Sequence, residues 1–176
     1  LYRIKELYGC TGRPDEGTHL DPVEQARRIR EAEQNDPMLR GRVITGIADP
    51  AIFDQSRGES VADMQEKSPN FLHWRPGDHT RLAGKMQFHY RLHFDEEGRP
   101  MLQVFHTCKH FIRTIPNLVY DESNVEDIDT RQEDHIYDEC RYVLMENPIS
   151  PPRQIAGPPV RDDPLELHGR ARFLRV

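Results

Sequence analysis

Long apolar segments are absent from this sequence. No run approaches the roughly 20 apolar residues that a membrane-spanning helix needs, and no basic start is followed by the apolar core of a signal peptide. Cysteine is also scarce, with only Cys10, Cys108 and Cys140. Because three widely spaced cysteines indicate neither a disulfide framework nor a cysteine-based zinc site, we expect reduced thiols. The sequence therefore predicts a cytoplasmic protein that does not enter a membrane.

An excess of basic residues is missing as well. The chain has 24 Lys and Arg against 30 Asp and Glu, which gives a formal net charge of −6. This balance argues against a protein that coats nucleic acid non-specifically, since such binding relies on Lys and Arg contacts with phosphates. A locally basic groove remains compatible with it. The sequence also lacks a Gly-rich phosphate-binding loop ending in Lys and Ser or Thr, so we expect no ATPase within these residues.

The chain does contain enough apolar sequence for one globular domain. Its 176 residues, 36% of them hydrophobic, can bury a core. It begins at Leu1 inside a strand-like segment, LYRIKELYG, which suggests a fragment of a longer polypeptide. From Pro148 the composition shifts to proline and charge. We therefore expect a domain over residues 1–147 and an extended, proline-rich tail over residues 148–176.

Strand and helix patterns alternate along this domain. Strand patterns occupy 1–9, 42–48, 71–76 and 101–107, and helix patterns occupy 22–35, 60–67, 78–92, 108–120 and 131–145. Asp21 is predicted to cap the first helix, and Asp78 to open the third, with Leu82, Met86 and Tyr90 on one face. The β-branched run before Asp49 predicts an interior strand covered on both faces. This alternation predicts an α/β fold, a parallel or mixed sheet flanked by helices.

The stretch RQEDHIYDECRY, residues 131–142, predicts an amphipathic helix. At about 100° per residue two sets of side chains separate. The apolar set is Ile136, Cys140 and Val143, and the opposite, polar set is Asp134, Asp138 and Arg141. One interpretation is a solvated surface helix in which Asp138 and Arg141 form an ordinary i,i+3 ion pair. The other interpretation is a metal or acid–base site.

Acidic residues are predicted to meet at one edge of the sheet. Functional groups gather at the carboxyl ends of strands in such folds, and Asp49 follows the predicted interior strand. If the acidic helix packs on the sheet, Asp134 and Asp138 can point toward the same edge. Converging carboxylates are electrostatically costly unless cations join them. Hard divalent ions with oxygen ligands, Mg²⁺ or Mn²⁺, suit such a site, whereas a helix or turn cap is the alternative role for Asp49 and Asp134.

Five segments together resemble the C-terminal nuclease domain of the large terminase subunit of tailed bacteriophages and prophages. They are ELYG, IADPAIFDQSRGESVADM, GDHTRLAGKMQFHYRL, HTCKHFIRTIPNLVYD and DIDTRQEDHIYDECRY, and they span about residues 1–147. The resemblance rests on the strand-end acid followed by DPAIF together with the late DHxxDxxRY pattern. It implies a ribonuclease H-like fold.

The resemblance also implies an activity and a set of partners. Members of this family are metal-dependent endonucleases that cut concatemeric double-stranded viral DNA. They are normally joined to an N-terminal packaging ATPase, and they work with a portal protein and a small terminase subunit inside the bacterial host cell. By resemblance, Asp49 matches the acid of the central strand. Asp138, with Asp134 as its rival, matches the late acid, and His135 is a possible additional ligand for two Mg²⁺ or Mn²⁺ ions.

The sequence departs from the family pattern at its start. The family's sheet begins with two strands ahead of the one predicted at 1–9, and the first carries an essential aspartate. Neither strand is in this sequence, so we expect an N-terminally incomplete sheet and at most two of three metal-binding acids. This chain alone is expected to cut DNA feebly or not at all.

Four basic residues are candidates for contacts with DNA, and two functions other than a terminase nuclease remain open. Arg81, Lys85, Lys109 and Arg113 are candidates for a DNA track, although dispersed basic residues on helices usually only face solvent. A non-catalytic module of the same fold, a prophage remnant that binds DNA or a portal protein, is the first alternative. Another ribonuclease H-like nuclease, such as a resolvase, is the second.

Overall fold

Five α-helices and four short strands form a mixed α/β fold in a computed structural model that describes residues 1–13 and 16–150. In chain order they are β1 (Tyr2–Arg3), α1 (Pro22–Asn35), β2 (Gly46–Ala48), α2 (Val61–Glu66), β3 (Trp74–Pro76), α3 (Arg81–Leu92), β4 (Gln103–Val104), α4 (Lys109–Thr114) and α5 (His135–Met145). Turns of 3-10 helix lie at Pro50–Phe53 and Ile115–Asn117. The predicted α/β class is confirmed. Residues 151–176 of the predicted tail lie outside the described residues.

The strands form two small parallel sheets. β1 pairs with β4, and β2 pairs with β3. In the described part of the chain neither pair joins the other. The prediction of an interior strand before Asp49 was wrong: β2 has one partner strand, only Gly46–Ala48 is extended, and Val43 is 99% exposed. β-Branched residues fit a buried strand only when neighbouring strands and helices cover both faces, and the described residues supply one neighbour.

Helix ends follow local sequence signals. The Asp21 side chain accepts a hydrogen bond from the Glu24 N–H at 2.9 Å and caps α1, as predicted. Ser60 and Asp63 form a reciprocal capping box at α2. The third helix begins later than predicted because the Asp78 carboxylate accepts from the N–H and hydroxyl of Thr80, which holds that segment in a turn ahead of Arg81.

The main core lies between α3, α4 and α5. Its buried members are Phe88, Leu102, Cys108, Phe111, Ile128, Ile136, Tyr137, Cys140 and Leu144. The predicted apolar face of α3 is reversed, since Leu82 and Met86 are exposed while Gln87 and Phe88 are buried. Gln87 can turn inward because its side-chain amide exchanges two hydrogen bonds with the backbone of Ile149. Within the described residues, no helix is long and apolar enough to cross a membrane.

Close packing of α3 against α5 requires a glycine. A Cβ at Gly84 would lie 2.2 Å from Cγ and 2.5 Å from Cδ of Arg141, a side chain that is 2% exposed. The aliphatic part of Arg141 therefore crosses α3 where no side chain stands. Neither helix can move away cheaply, because the same helices enclose the core.

We expect Gly84→Ala to lower the free energy of unfolding by about 1–3 kcal/mol, the usual cost of overpacking a core. The higher helix propensity of Ala offsets about 1 kcal/mol of the clash. Urea unfolding followed by circular dichroism measures the change. Ala83→Ser, at the exposed neighbouring position of the same helix, is the control and should stay within about 0.5 kcal/mol of the wild type. Equal stability of the two variants would show that Arg141 has room to move.

The start of the chain is attached to the core by an ionic cluster around Glu133. Arg113 donates to both carboxylate oxygens of Glu133, at 2.7 and 2.6 Å, and the Tyr8 hydroxyl donates to the same group. The Tyr8 ring stacks on His110 with centroids 4.2 Å apart. The hydrogen bond from Arg113 is the main reason that the pKa of Glu133 falls from 4.5 to about 2.

This lowered pKa predicts how stability depends on acid. A carboxylate whose pKa is lower in the folded state stabilises fully above its unfolded pKa and loses that contribution as pH falls through the folded value. The contribution of Glu133 should therefore disappear between about pH 4.5 and pH 2. In Glu133→Gln the acid-induced loss of melting temperature should be smaller over that window. Parallel curves for variant and wild type would contradict the assignment.

Candidate active site at the end of strand β2

Asp49 lies directly after β2 and is held by both of its carboxylate oxygens. Oδ1 accepts from the Ala51 N–H at 2.7 Å, which caps the 3-10 turn. Oδ2 accepts from the Tyr142 hydroxyl at 2.6 Å. The hydrogen bond from Tyr142, followed by that from Ala51, lowers the pKa of Asp49. Asp49 is therefore ionised at neutral pH, and the alternative role of a turn cap is one that it does perform.

Tyr142 reaches Asp49 because a glycine, Gly77, directly follows β3. A Cβ at Gly77 would lie 2.7 Å from Cβ of Tyr142, so any larger residue would displace the helix. Tyr142 is buried, and burial together with the bond to Asp49 raises its pKa to about 12. The hydroxyl therefore stays protonated and remains a donor over the physiological range.

Asp138 is paired with arginine. Nε and Nη2 of Arg141 approach its Oδ1 at 3.1 and 2.8 Å, and Nη1 of Arg81 lies 3.7 Å from the same oxygen. The i,i+3 pair suggested by the sequence is thus present, but the expected solvated polar face is wrong. Arg141 is buried, and Val143, predicted on the apolar side, is exposed. The helix packs against α3 and the core on two sides, so the simple two-faced pattern fails.

Asp134 and His135 occupy the start of α5. Asp134 is 8% exposed, and burial, helped by the negative charge of Asp138, raises its pKa. His135 Nδ1 lies 4.0 Å from Asp134 Oδ1, and the imidazole side chain is largely exposed. Asp134 thus differs from Asp138, because its negative charge lies in a less favourable environment.

This difference predicts opposite effects for the two rival acids. A carboxylate whose folded pKa is raised costs stability once pH exceeds its unfolded pKa, because the folded state then holds the charge less well than the unfolded state. Asp134→Asn should therefore raise the melting temperature at pH 7, with the gain shrinking as pH falls toward 4. A lower melting temperature at pH 7 would show that the charge of Asp134 is stabilising.

The acids approach one helix without forming a ligand set for a metal ion. Asp138 and Tyr142 are one turn apart on α5, and Asp49 binds Tyr142, so Asp138 lies on the side of the helix that Asp49 contacts. Among residues 1–13 and 16–150, no group of three or more Asp, Glu, His or Cys side chains is placed to hold one ion. The predicted set Asp49, Asp134, Asp138 and His135 does not by itself fit Mg²⁺ or Mn²⁺, which need several oxygen ligands. Guanidinium groups of Arg81 and Arg141 supply the positive charge that the sequence assigned to metal ions.

The predicted basic residues occupy two helices and mostly have partners. Arg81 binds the Asp127 carboxylate through two nitrogens. Lys85 donates to the Glu126 carbonyl and lies 4.4 Å from the ring centroid of Tyr120. On α4, Arg113 binds Glu133, while Lys109 is exposed at the first position. In the described residues Arg81, Lys85 and Arg113 thus bind groups of nearby loops, and the four basic side chains do not form one continuous basic surface.

Sequence reasoning missed the residues that hold the acids. Tyr142 and Arg141 were part of the quoted DHxxDxxRY pattern, but Tyr142 was assigned no role, and Arg141 was assigned only a surface ion pair with Asp138. Gly77 and Gly84 carry no signal that distinguishes them from turn or helix glycines. Only the three-dimensional distances show that each makes room for an α5 side chain.

A slot opens beside Asp49. It measures about 620 Å³ and runs between α1 and α5. Its lining includes Leu7 and Tyr8 from the segment after β1 and Ile47 and Ala48 of β2. Ala48 directly precedes Asp49, so the slot reaches the candidate site.

Comparisons with family models, curated proteins and solved structures give no match for this chain.

Proposed function

We propose that this chain is part of a double-stranded DNA endonuclease of the terminase large-subunit type, with a ribonuclease H-like sheet. The observation that carries the proposal is the placement of Asp49 and Asp138. Asp49, at the end of a strand, binds Tyr142 of α5. Asp138, 89 positions after Asp49 in the sequence, belongs to α5 and binds Arg141, the residue before Tyr142. Ionised carboxylates at the carboxyl end of a strand are the groups that such a hydrolase needs.

The site requires at least one further carboxylate. A site for two ions needs more negative ligands than Asp49 and Asp138 supply, and the described residues offer no group of three or more Asp, Glu, His or Cys side chains placed around one ion. The contacts of Arg81 and Arg141 with Asp138 are both made to its Oδ1. We propose that the missing acid comes from a longer form of the same polypeptide, which also carries the packaging ATPase.

The proposed setting follows from the same resemblance. The enzyme would act in the cytoplasm of a bacterial host cell, on concatemeric DNA, together with a portal protein and a small terminase subunit. Cleavage without sequence preference is expected, because an enzyme that contacts mainly the phosphate backbone reads no base edges.

A non-catalytic docking module is the second candidate. The arginine pairs at Asp138 favour it, since a site whose charges are already neutralised by Arg81 and Arg141 is stable without an ion. Such a module would bind DNA or a portal protein and cut nothing.

Plasmid cleavage distinguishes the two candidates. Supercoiled plasmid is incubated with millimolar Mn²⁺ and either this chain or a longer natural form that includes the additional strands. We expect the longer form to nick and linearise the plasmid and this chain to leave it nearly intact. A well-folded longer form that binds DNA or portal protein but leaves the plasmid supercoiled would establish the docking function instead.

A further inference from the structure

The slot is lined by two helices and by strands of both small sheets. Apolar side chains of Ile29 and Ile136, from α1 and α5, line it together with the charged side chains of Glu33 and Glu139 from the same helices. Residues of β1 and β2 also border it. A space bordered by helices and by strands of two sheets is where an interior strand of an α/β sheet would lie.

The backbone of β2 offers hydrogen bonds toward the slot. Gly46 donates to the His73 carbonyl and Ala48 accepts from Gly77, each at 2.8 Å, so these two residues face β3. In a parallel ladder alternate residues point to opposite edges. The N–H and C=O of Ile47 therefore point away from β3, and Ile47 lines the slot.

The size and polarity of the slot agree with a strand. One strand residue occupies about 160 Å³, given a rise of about 3.3 Å, a strand spacing of about 4.8 Å and a layer thickness of about 10 Å. A slot of about 620 Å³ therefore holds about four residues of one strand. Most of the lining surface is apolar, although Glu33 of α1 and Glu139 of α5 also reach it, so the inserted residues should be mainly apolar on both faces.

We propose that this slot binds an extended polypeptide strand, mainly apolar on both faces, which adds to the edge of β2 and joins the two small sheets. Its occupant is thus a peptide backbone with alternating contacts to α1 and α5, and not a small molecule. A small ligand would not pair with the N–H and C=O of Ile47 in the way that the backbone of an added strand does. This inference does not depend on DNA cleavage.

Peptide selection tests the inference without DNA or metal. A displayed library of random 12-residue peptides is selected on the 176-residue chain, and the enriched peptides are synthesised. We expect apolar β-formers in the bound segment, at least tenfold slower hydrogen exchange at the Ile47 amide on binding, and loss of binding when a central residue is N-methylated. Failure to enrich any peptide would overturn the proposal.

Two matched variants locate the binding. Ala32→Phe places a ring in the slot and should weaken the selected peptides at least tenfold, whereas Ala83→Phe, on the exposed face of α3, should leave binding unchanged. Both retain Trp74, the single tryptophan of the chain and part of the slot lining, as a fluorescence probe. Equal affinity for the two variants would contradict the proposal.

Two further measurements cover the remaining outcomes. If Ala32→Phe unfolds, the proposal is tested by hydrogen exchange at the Ile47 amide of the wild type. Exchange that is not slowed by a bound peptide would then contradict it. A concentration-dependent dimer that protects Ile47 without any peptide would identify a second copy as the occupant and overturn the strand proposal. Plasmid cleavage can fail while peptides still bind here, so this inference and the proposed function fail separately.

Discussion

Asp138→Asn is expected to lower the free energy of unfolding by about 2–4 kcal/mol. The variant leaves Arg141, which is 2% exposed, without the carboxylate that binds its Nε and Nη2. Breaking a buried ion pair from one side costs about 3–5 kcal/mol, because a charge remains buried without compensation. The estimate is somewhat lower here because the Asp138 side chain is partly exposed and Arg81 lies nearby. Urea unfolding at pH 7 and low salt measures the change.

The direction of this change separates two descriptions of the acidic helix. If repulsion between Asp134, Asp138 and Asp49 dominated, removing one negative charge would stabilise the chain. Glu31→Gln is the matched control, since Glu31 pairs with Arg27 at an exposed i,i+4 position and should cost less than about 0.5 kcal/mol. A more stable Asp138→Asn variant would show that the acids need an external cation even when Arg141 is present.

Asp49→Asn is expected to reduce plasmid cleavage by the longer form at least about 100-fold. Residues that only support a metal ligand typically change activity about 10–100-fold, so a group that binds the ion itself should exceed that range. Asn retains the shape of the side chain: its carbonyl oxygen can still accept from the Ala51 N–H, and its amide can donate to the Tyr142 hydroxyl in place of the bond that Asp49 accepts. The loss of cleavage should therefore reflect the missing negative charge of Asp49 more than any change in folding. Initial rates of nicking at saturating Mn²⁺ give the comparison.

Two controls accompany this measurement. In the first control, Asn replaces the first aspartate of the additional strands in the longer form. This variant keeps the sheet complete and removes only the carboxylate, so it shows which of the two is needed for cleavage. Glu96→Gln, at an exposed loop position, has the same change of charge and should cut at the wild-type rate. Cleavage that survives Asp49→Asn would mean that Asp49 is a turn cap and nothing more.

Local sequence signals predicted where the helices lie because their causes are local. The predicted cap at Asp21 depends on residues within one turn, as does the capping box at Ser60 that the structure shows. The predicted strands were too long for the opposite reason. A strand is stabilised by partners far away in the sequence, and the run before Asp49 has only β3 beside it in the described residues.

The candidate acids could be proposed from the sequence, but their chemical state could not. A strand-end position and a helical spacing were enough to name Asp49, Asp134 and Asp138. Spacing cannot show that Tyr142 binds the first or that burial disfavours ionisation of the second. Spacing did suggest that Arg141 pairs with the third, but not that this arginine is buried. Those differences arise from groups up to 93 positions apart.

The sequence by itself determined the α/β class, the cap at Asp21 and the choice of candidate acids, because periodicity and capping act within a few residues. Tertiary structure decided which face of α3 is buried, that Gly84 and Gly77 admit Arg141 and Tyr142, and that a slot of about 620 Å³ lies beside β2. These features depend on distances between elements remote in the sequence. Packing and electrostatic energies vary steeply with such distances, and no local pattern encodes them.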